Sequence, residues 1–86
     1  MADDGKFPHG RDVRAKQVVD YLLPGLWSLG RDDIDMIIDF DDQSIDLLAK
    51  GHPRRKLFHR AELEEGSYAG KFVARLNELI GESHGR

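Results

Sequence analysis

Between Asp33 and Ala49 the chain alternates. Ile34, Met36, Ile38 and Phe40 take one set of positions, and Asp33, Asp35, Ile37 and Asp39 take the other. Asp41-Asp42-Gln43-Ser44 supplies turn chemistry, after which Ile45, Leu47 and Ala49 alternate with Asp46, Leu48 and Lys50. Side chains on a strand repeat every second residue, so this pattern predicts a β-hairpin with one apolar and one acidic face. The β-branched residues agree with it. A rival reading exists: Ile34, Ile37, Ile38, Ile45 and Leu48 also fit helical spacing, and 42–51 reads as a short capped helix. That rival would make the fold an all-α bundle.

Helical spacing flanks the hairpin. Asp12 is a candidate N-cap, followed by Val13, Gln17, Val18, Tyr21 and Leu22, with Val19, Leu23 and Leu26 widening the stripe. Pro24-Gly25 is expected to stop this helix near Leu23. Leu26, Trp27 and Leu29 would then form an apolar turn folded back on the core, closed by Gly30. Gly51-His52-Pro53 breaks the chain again, and 54–63 reads as a basic connector, a third strand or a helix start. Gly66-Ser67 opens a second helix with Ser67 as N-cap. Ala69, Phe72, Val73, Leu76, Leu79 and Ile80 give it an apolar stripe that ends at Gly81. The fold class that follows is α+β: helix 12–23, hairpin 33–49, a short third strand or connector, and helix 67–80. Residues 1–10 read as a flexible arm, 11–81 as one domain and 82–86 as a flexible tail.

With 86 residues the chain is near the lower limit for folding alone, so a homodimer is a live alternative. Charged residues make up 34% of the chain, nearly balanced in sign, which argues against wholesale disorder. Cysteine is absent, which removes disulfides, thiolate metal sites and a cysteine nucleophile. The polar start Met1-Ala2-Asp3-Asp4-Gly5-Lys6 leads into no apolar stretch, and no run is long enough to span a membrane. A cytoplasmic location without membrane contact is the expectation.

The net charge of -3 conceals a split. Seven aspartates fall between Asp32 and Asp46; Lys50, Arg54, Arg55, Lys56 and Arg60 follow with no acid among them. On a hairpin, Asp33, Asp35, Asp39 and Asp46 would crowd one face, at a cost in like-charge repulsion. Three readings answer that cost: a solvated face neutralised by Lys50 or Arg54, a face that meets a cationic partner, or a divalent-cation site built on Asp39, Asp41 and Asp42. The last lacks the glycine and terminal glutamate of a calcium-binding helix–loop–helix, so no metal is expected.

The basic stretch mixes its cations with Phe58 and His59, the composition of a phosphate-binding strip with a ring for stacking. The acidic balance of the chain opposes that reading, because the aspartates would repel the same phosphates. An internal complement to the acidic hairpin is the competing role. His9, His52, His59 and His84 have no helical pairing, and none of Ser28, Ser44, Ser67 and Ser83 sits in a nucleophile motif. His52 and His59 beside Arg54 or Arg55 have only the composition of an acid–base site. No catalysis and no cofactor are expected. Trp27 with Tyr21, Leu23 and Leu26 is the densest apolar group, expected in the core or in an interface.

These residues point to a small non-enzymatic binding protein: an adaptor, inhibitor or regulator. It would dock on a protein partner through Asp33, Asp35, Asp39, Asp41, Asp42 and Asp46 plus a small apolar patch. If that partner binds nucleic acid, the carboxylates would occupy its phosphate sites by mimicry. The alternative is a nucleic-acid-binding regulator that uses Lys50, Arg54, Arg55, Lys56, Phe58 and Arg60.

Overall fold

The computed structural model describes residues 8–80. The anticipated arm as far as residue 7, the tail 82–86, and Gly81, expected to end the last helix, lie outside the described residues. Six elements follow one another: α1 (Ala15–Ser28), β1 (Ile34–Asp39), β2 (Ser44–Ala49), β3 (Arg55–Phe58), α2 (Arg60–Glu65) and α3 (Tyr68–Ile80). The fold is mixed α+β, not an all-α bundle. The three strands form one antiparallel sheet in the order β1-β2-β3.

The hairpin has the alternation expected of it. Ile34 pairs with Ala49, Met36 with Leu47 and Ile38 with Ile45 on the inner face; Asp35 opposes Leu48 and Ile37 opposes Asp46 on the outer face. Asp39 closes the turn by accepting the N–H groups of Asp41 and Asp42 on its Oδ1, at 3.0 and 3.1 Å. Gln43 takes the left-handed conformation, φ 51°, which its own amide secures. That amide donates to the Phe40 carbonyl at 2.8 Å and accepts the Ala15 N–H at 2.8 Å, tying the turn to the start of α1.

Between β2 and β3 the register slips at Ile45/Asp46, so Phe58 opposes Ile45 while Lys56 opposes Asp46. A bulge of this kind re-aims side chains. Here it sends both Leu57 and Phe58 inward. They meet Val18, Leu22 and Leu26 of α1, Ile45 and Leu47 of β2, Leu63 of α2, and Tyr68, Phe72, Leu76 and Ile80 of α3 in a single core. Arg75 of α3 locks the far end. It donates to the Leu57 carbonyl at 2.7 Å and to Glu62 Oε2 at 2.7 Å, and its guanidinium lies 5.3 Å from the Phe58 ring centre.

Four local expectations are corrected. The first helix begins at Ala15, not Asp12, because glutamine amides do the capping: Gln17 Oε1 accepts the Arg14 N–H at 2.8 Å and Gln43 serves Ala15. It also passes through Pro24. Leu22 and Leu26 are buried four residues apart, and Pro24 sits on the exposed side with Asp20, whose carbonyl it cannot bond. Trp27 therefore rides on a helix instead of folding back on the core, and is 69% exposed. Phe40 is likewise 68% exposed, since β1 ends at Asp39 and the strand parity that would aim it inward no longer applies. Gly66, at φ 82°, terminates α2 instead of opening α3. The basic connector resolves into strand β3 followed directly by α2.

At the front edge, Pro8 and Gly10 are held by the domain. The Tyr68 hydroxyl donates to the Pro8 carbonyl, and the Gly10 N–H donates to the Glu64 carbonyl at 2.8 Å. Burial, with Tyr21 nearby, pushes the Tyr68 phenol up to about 12. Among the described residues no helix is long and apolar enough to cross a membrane.

Candidate interaction surface

Both faces of the sheet are now accounted for. The inner face is roofed by the helices, and the outer face presents Asp35, Ile37 and Asp39 on β1, Ser44, Asp46 and Leu48 on β2, and Lys56 on β3. The six aspartates expected to form one docking face separate here into two populations.

Asp46 is internal. Its Oδ2 accepts Arg54 Nε at 2.8 Å and its Oδ1 lies 2.8 Å from Lys56 Nζ, with the carboxylate side chain only 14% exposed. Burial pushes this carboxyl up, but the hydrogen bonds from Lys56 and Arg54 outweigh it and hold the group below its ordinary value. Asp33 stands just before β1 and is clamped by Arg31, whose Nε and Nη2 reach its two oxygens at 3.1 and 3.2 Å. That hydrogen bonding, partly opposed by desolvation, lowers the Asp33 carboxyl as well. Asp39 spends one oxygen on the turn.

Asp35, Asp41 and Asp42 form the second population. All three are exposed, and among the described residues none makes an ion pair. With the outer oxygen of Asp39 they make a carboxylate stripe along β1 and round the turn. Apolar surface accompanies it: half-buried Ile37, and Leu48 opposite Asp35, which is 39% exposed.

The basic residues disperse. Arg54 and Lys56 are engaged by Asp46, and Lys56 also donates to the Ser44 hydroxyl at 2.8 Å. Arg60 pairs with Glu64 at 2.9 Å. Phe58 is wholly buried, so its ring is not offered to a base. Lys50 and Arg55 remain exposed, on opposite parities of neighbouring strands, without ion pairs among the described residues. The strip therefore does not assemble, because a strand sends successive side chains to opposite faces and the bulge drives Leu57 and Phe58 into the core.

Near the turn, Lys56, His59 and Arg60 share a shallow groove of about 370 Å³ with Asp41, Asp42 and Ser44. A neighbouring hollow of about 230 Å³ is lined by Arg11, Arg14 and Arg60, with Asp12. Acids interleave with bases in both. Asp39, Asp41 and Asp42 do not converge, and among the described residues no group of three histidine, aspartate or glutamate side chains can hold a metal ion.

Sequence reasoning missed two participants. Arg31 removes Asp33 from the free acids, and Gln43 ties the turn to the start of α1. Arg31 had a signal, since an arginine two residues before an aspartate is within reach of it. Gln43 was legible as a turn residue, but its bond to Ala15, 28 residues away, had no local signal. Comparison with known proteins gave no match: no family model, no curated protein and no solved structure is detectably similar to the chain.

Proposed function

We propose that the chain is a small non-enzymatic binding protein of the cytoplasm, a regulator or inhibitor that docks on a cationic protein partner through the β1 side of its hairpin. One observation carries this reading: among the described residues Asp35, Asp41 and Asp42 are exposed and make no ion pair, although the chain neutralises Asp33 and Asp46 with its own arginine and lysine side chains. An unneutralised stripe raises the association rate with a basic surface, and Ile37 and Leu48 beside it supply apolar area to bury on contact. A partner that itself binds nucleic acid would present the required cations, so mimicry of phosphates belongs to the same proposal. Direct nucleic-acid binding is less supported, since Phe58 is in the core and Arg54 and Lys56 already face Asp46.

The test compares wild type with the Asp35→Asn/Asp41→Asn/Asp42→Asn variant in capture from nuclease-treated native lysate, followed by kinetics on the retained partner. Association should slow by about tenfold at low salt, and the difference should shrink as salt is added. Equal association rates for the two proteins would refute the reading.

A further inference from the structure

The sheet order leaves β1 at an edge, and the register defines what that edge offers. Lys50 N donates to the Asp33 carbonyl at 3.1 Å, and these two residues stand directly opposite in the register that continues from Ile34 and Ala49. Residues in an antiparallel ladder alternate between those that bond to the neighbouring strand and those that do not. Asp33, Asp35, Ile37 and Asp39 therefore direct their N–H and C=O groups to β2, while Ile34, Met36 and Ile38 direct theirs away from the sheet. Among the described residues these outward groups have no hydrogen-bond partner. They form a ready template for another strand.

The helix above this edge adds a second feature. Tyr21 meets Tyr68 of α3 edge-on, ring centres 6.1 Å apart, which turns one flank of α1 toward α3. The α3 helix packs over β3 and α1 over β1 and β2, so the flank of α1 opposite Tyr21 faces away from α3. That flank carries Leu23, half-buried, and Trp27 one helical turn later, the most exposed large apolar side chain described.

We infer that the β1 edge accepts an extended segment of a partner protein as a fourth strand, one with basic residues at its two ends and apolar residues between. The inference rests on the cationic-partner reading above and specifies how that partner binds. In an antiparallel addition, the residues facing Asp35 and Asp39 are four apart and point outward, which places lysine or arginine there. The residue facing Ile37 is apolar. The two inward residues lie beside Met36 and Ile38, which pack against the core, and are apolar too. Backbone bonds to Ile34, Met36 and Ile38 supply affinity, and the alternating side chains supply selection. A second copy of this chain is a poor occupant, because its own β1 brings aspartates to a row that already carries Asp35 and Asp39.

The probe is a peptide, acetyl-Gly-Lys-Val-Ile-Val-Lys-Gly-amide, beside the same peptide N-methylated at both valines. Methylation keeps the charge and removes the amides that would bond to β1. The unmethylated peptide should slow amide exchange at Ile34, Met36 and Ile38 by about tenfold or more. The methylated peptide should not, and Asp35→Asn should weaken binding. Equal binding of both peptides with the three amides unprotected would overturn strand addition while leaving acidic docking intact. Absence of binding by either peptide at low salt would overturn strand addition too, the acidic stripe then standing or falling on the capture experiment. Concentration-dependent protection of the same amides in the free protein would assign the edge to a second copy and overturn the inference.

Discussion

Asp46 and Asp35 share the outer face of the sheet on adjacent strands, and replacing each by asparagine should separate a structural carboxylate from a docking one. Asp46, 14% exposed, meets Lys56, 29% exposed, at 2.8 Å, and meets Arg54, 53% exposed, at the same distance. A charge-assisted contact of the first kind contributes about 1.5 kcal/mol. The second is screened by solvent and contributes about 0.5 kcal/mol. The asparagine amide keeps an acceptor that returns roughly 0.5 kcal/mol, so Asp46→Asn should cost about 1.5 kcal/mol. For a domain of this size that is a fall in melting temperature of roughly 6–12 °C. The folded Asp46 carboxyl is held below its ordinary value of 3.8, so its contribution is complete above that pH and is lost as pH falls through the folded value. Thermal unfolding at neutral pH and at about pH 2.5 should therefore show a gap between wild type and Asp46→Asn that closes in acid. Asp35→Asn should leave the melting temperature unchanged, having no internal cation to lose, and should slow partner association where Asp46→Asn does not. Equal stability of Asp46→Asn and wild type at neutral pH would refute the assignment, as would a gap that persists in acid.

Three further outcomes follow from the packing. Gly25→Ala should stabilise the chain by roughly 0.5–1 kcal/mol in urea titration, because a methyl there meets nothing within 4 Å and the site lies inside a continuous helix; destabilisation would mean that α1 breaks at Pro24. Tyr68→Phe should cost about 1 kcal/mol and speed amide exchange at Gly10, by releasing the Pro8 carbonyl. With the phenol raised from 10.0 to about 12, its contribution is full below pH 10 and is lost as pH rises through that window, so the variant and wild type should converge in alkali. Glu62→Gln should cost about 2 kcal/mol, since Arg75, 21% exposed, is left at the junction of β3, α2 and α3 with only the exposed Glu78 as a counter-charge. Burial raises the Glu62 carboxyl, but Arg75 and the His59 N–H hold it below 4.5, so that difference too should fade below pH 4.5 in chemical denaturation.

Periodicity made the hairpin and α3 readable, because each buries one face along its whole length and the pattern records that burial. Interruptions were harder. Pro24-Gly25 reads as a stop by local rules, yet the burial of Leu22 and Leu26 on one stripe outweighs a single missing hydrogen bond on the solvent side. Once the helix continues, Trp27 moves from the core to an exposed flank of α1, so one misread boundary displaced the largest side chain in the chain. The short elements β3 and α2 carry too few residues for a period to declare itself. Gly66 shows the same limit, since a left-handed glycine beside a serine suits the end of one helix as well as the approach to the next.

The candidate surface was readable as a composition and unreadable as an allocation. Seven aspartates beside five cations announce that charge must be matched, but which pairs form depends on a one-residue slip at Ile45/Asp46 that sets Lys56 across from Asp46. Without that slip, the parity of β3 would turn Lys56 to the inner side and leave Asp46 facing an apolar neighbour. The bulge therefore decides two matters together: it completes the core with Leu57 and Phe58, and it neutralises the central strand of the outer face. With Asp46 neutralised at the centre, the exposed acids of the outer face that make no ion pair among the described residues lie on β1 and its turn, on the strand whose outward amides are open. Charge on an edge strand guards against self-association. The same charge admits a basic segment, so the feature that keeps copies of this chain apart is also the one that selects what the edge can bind.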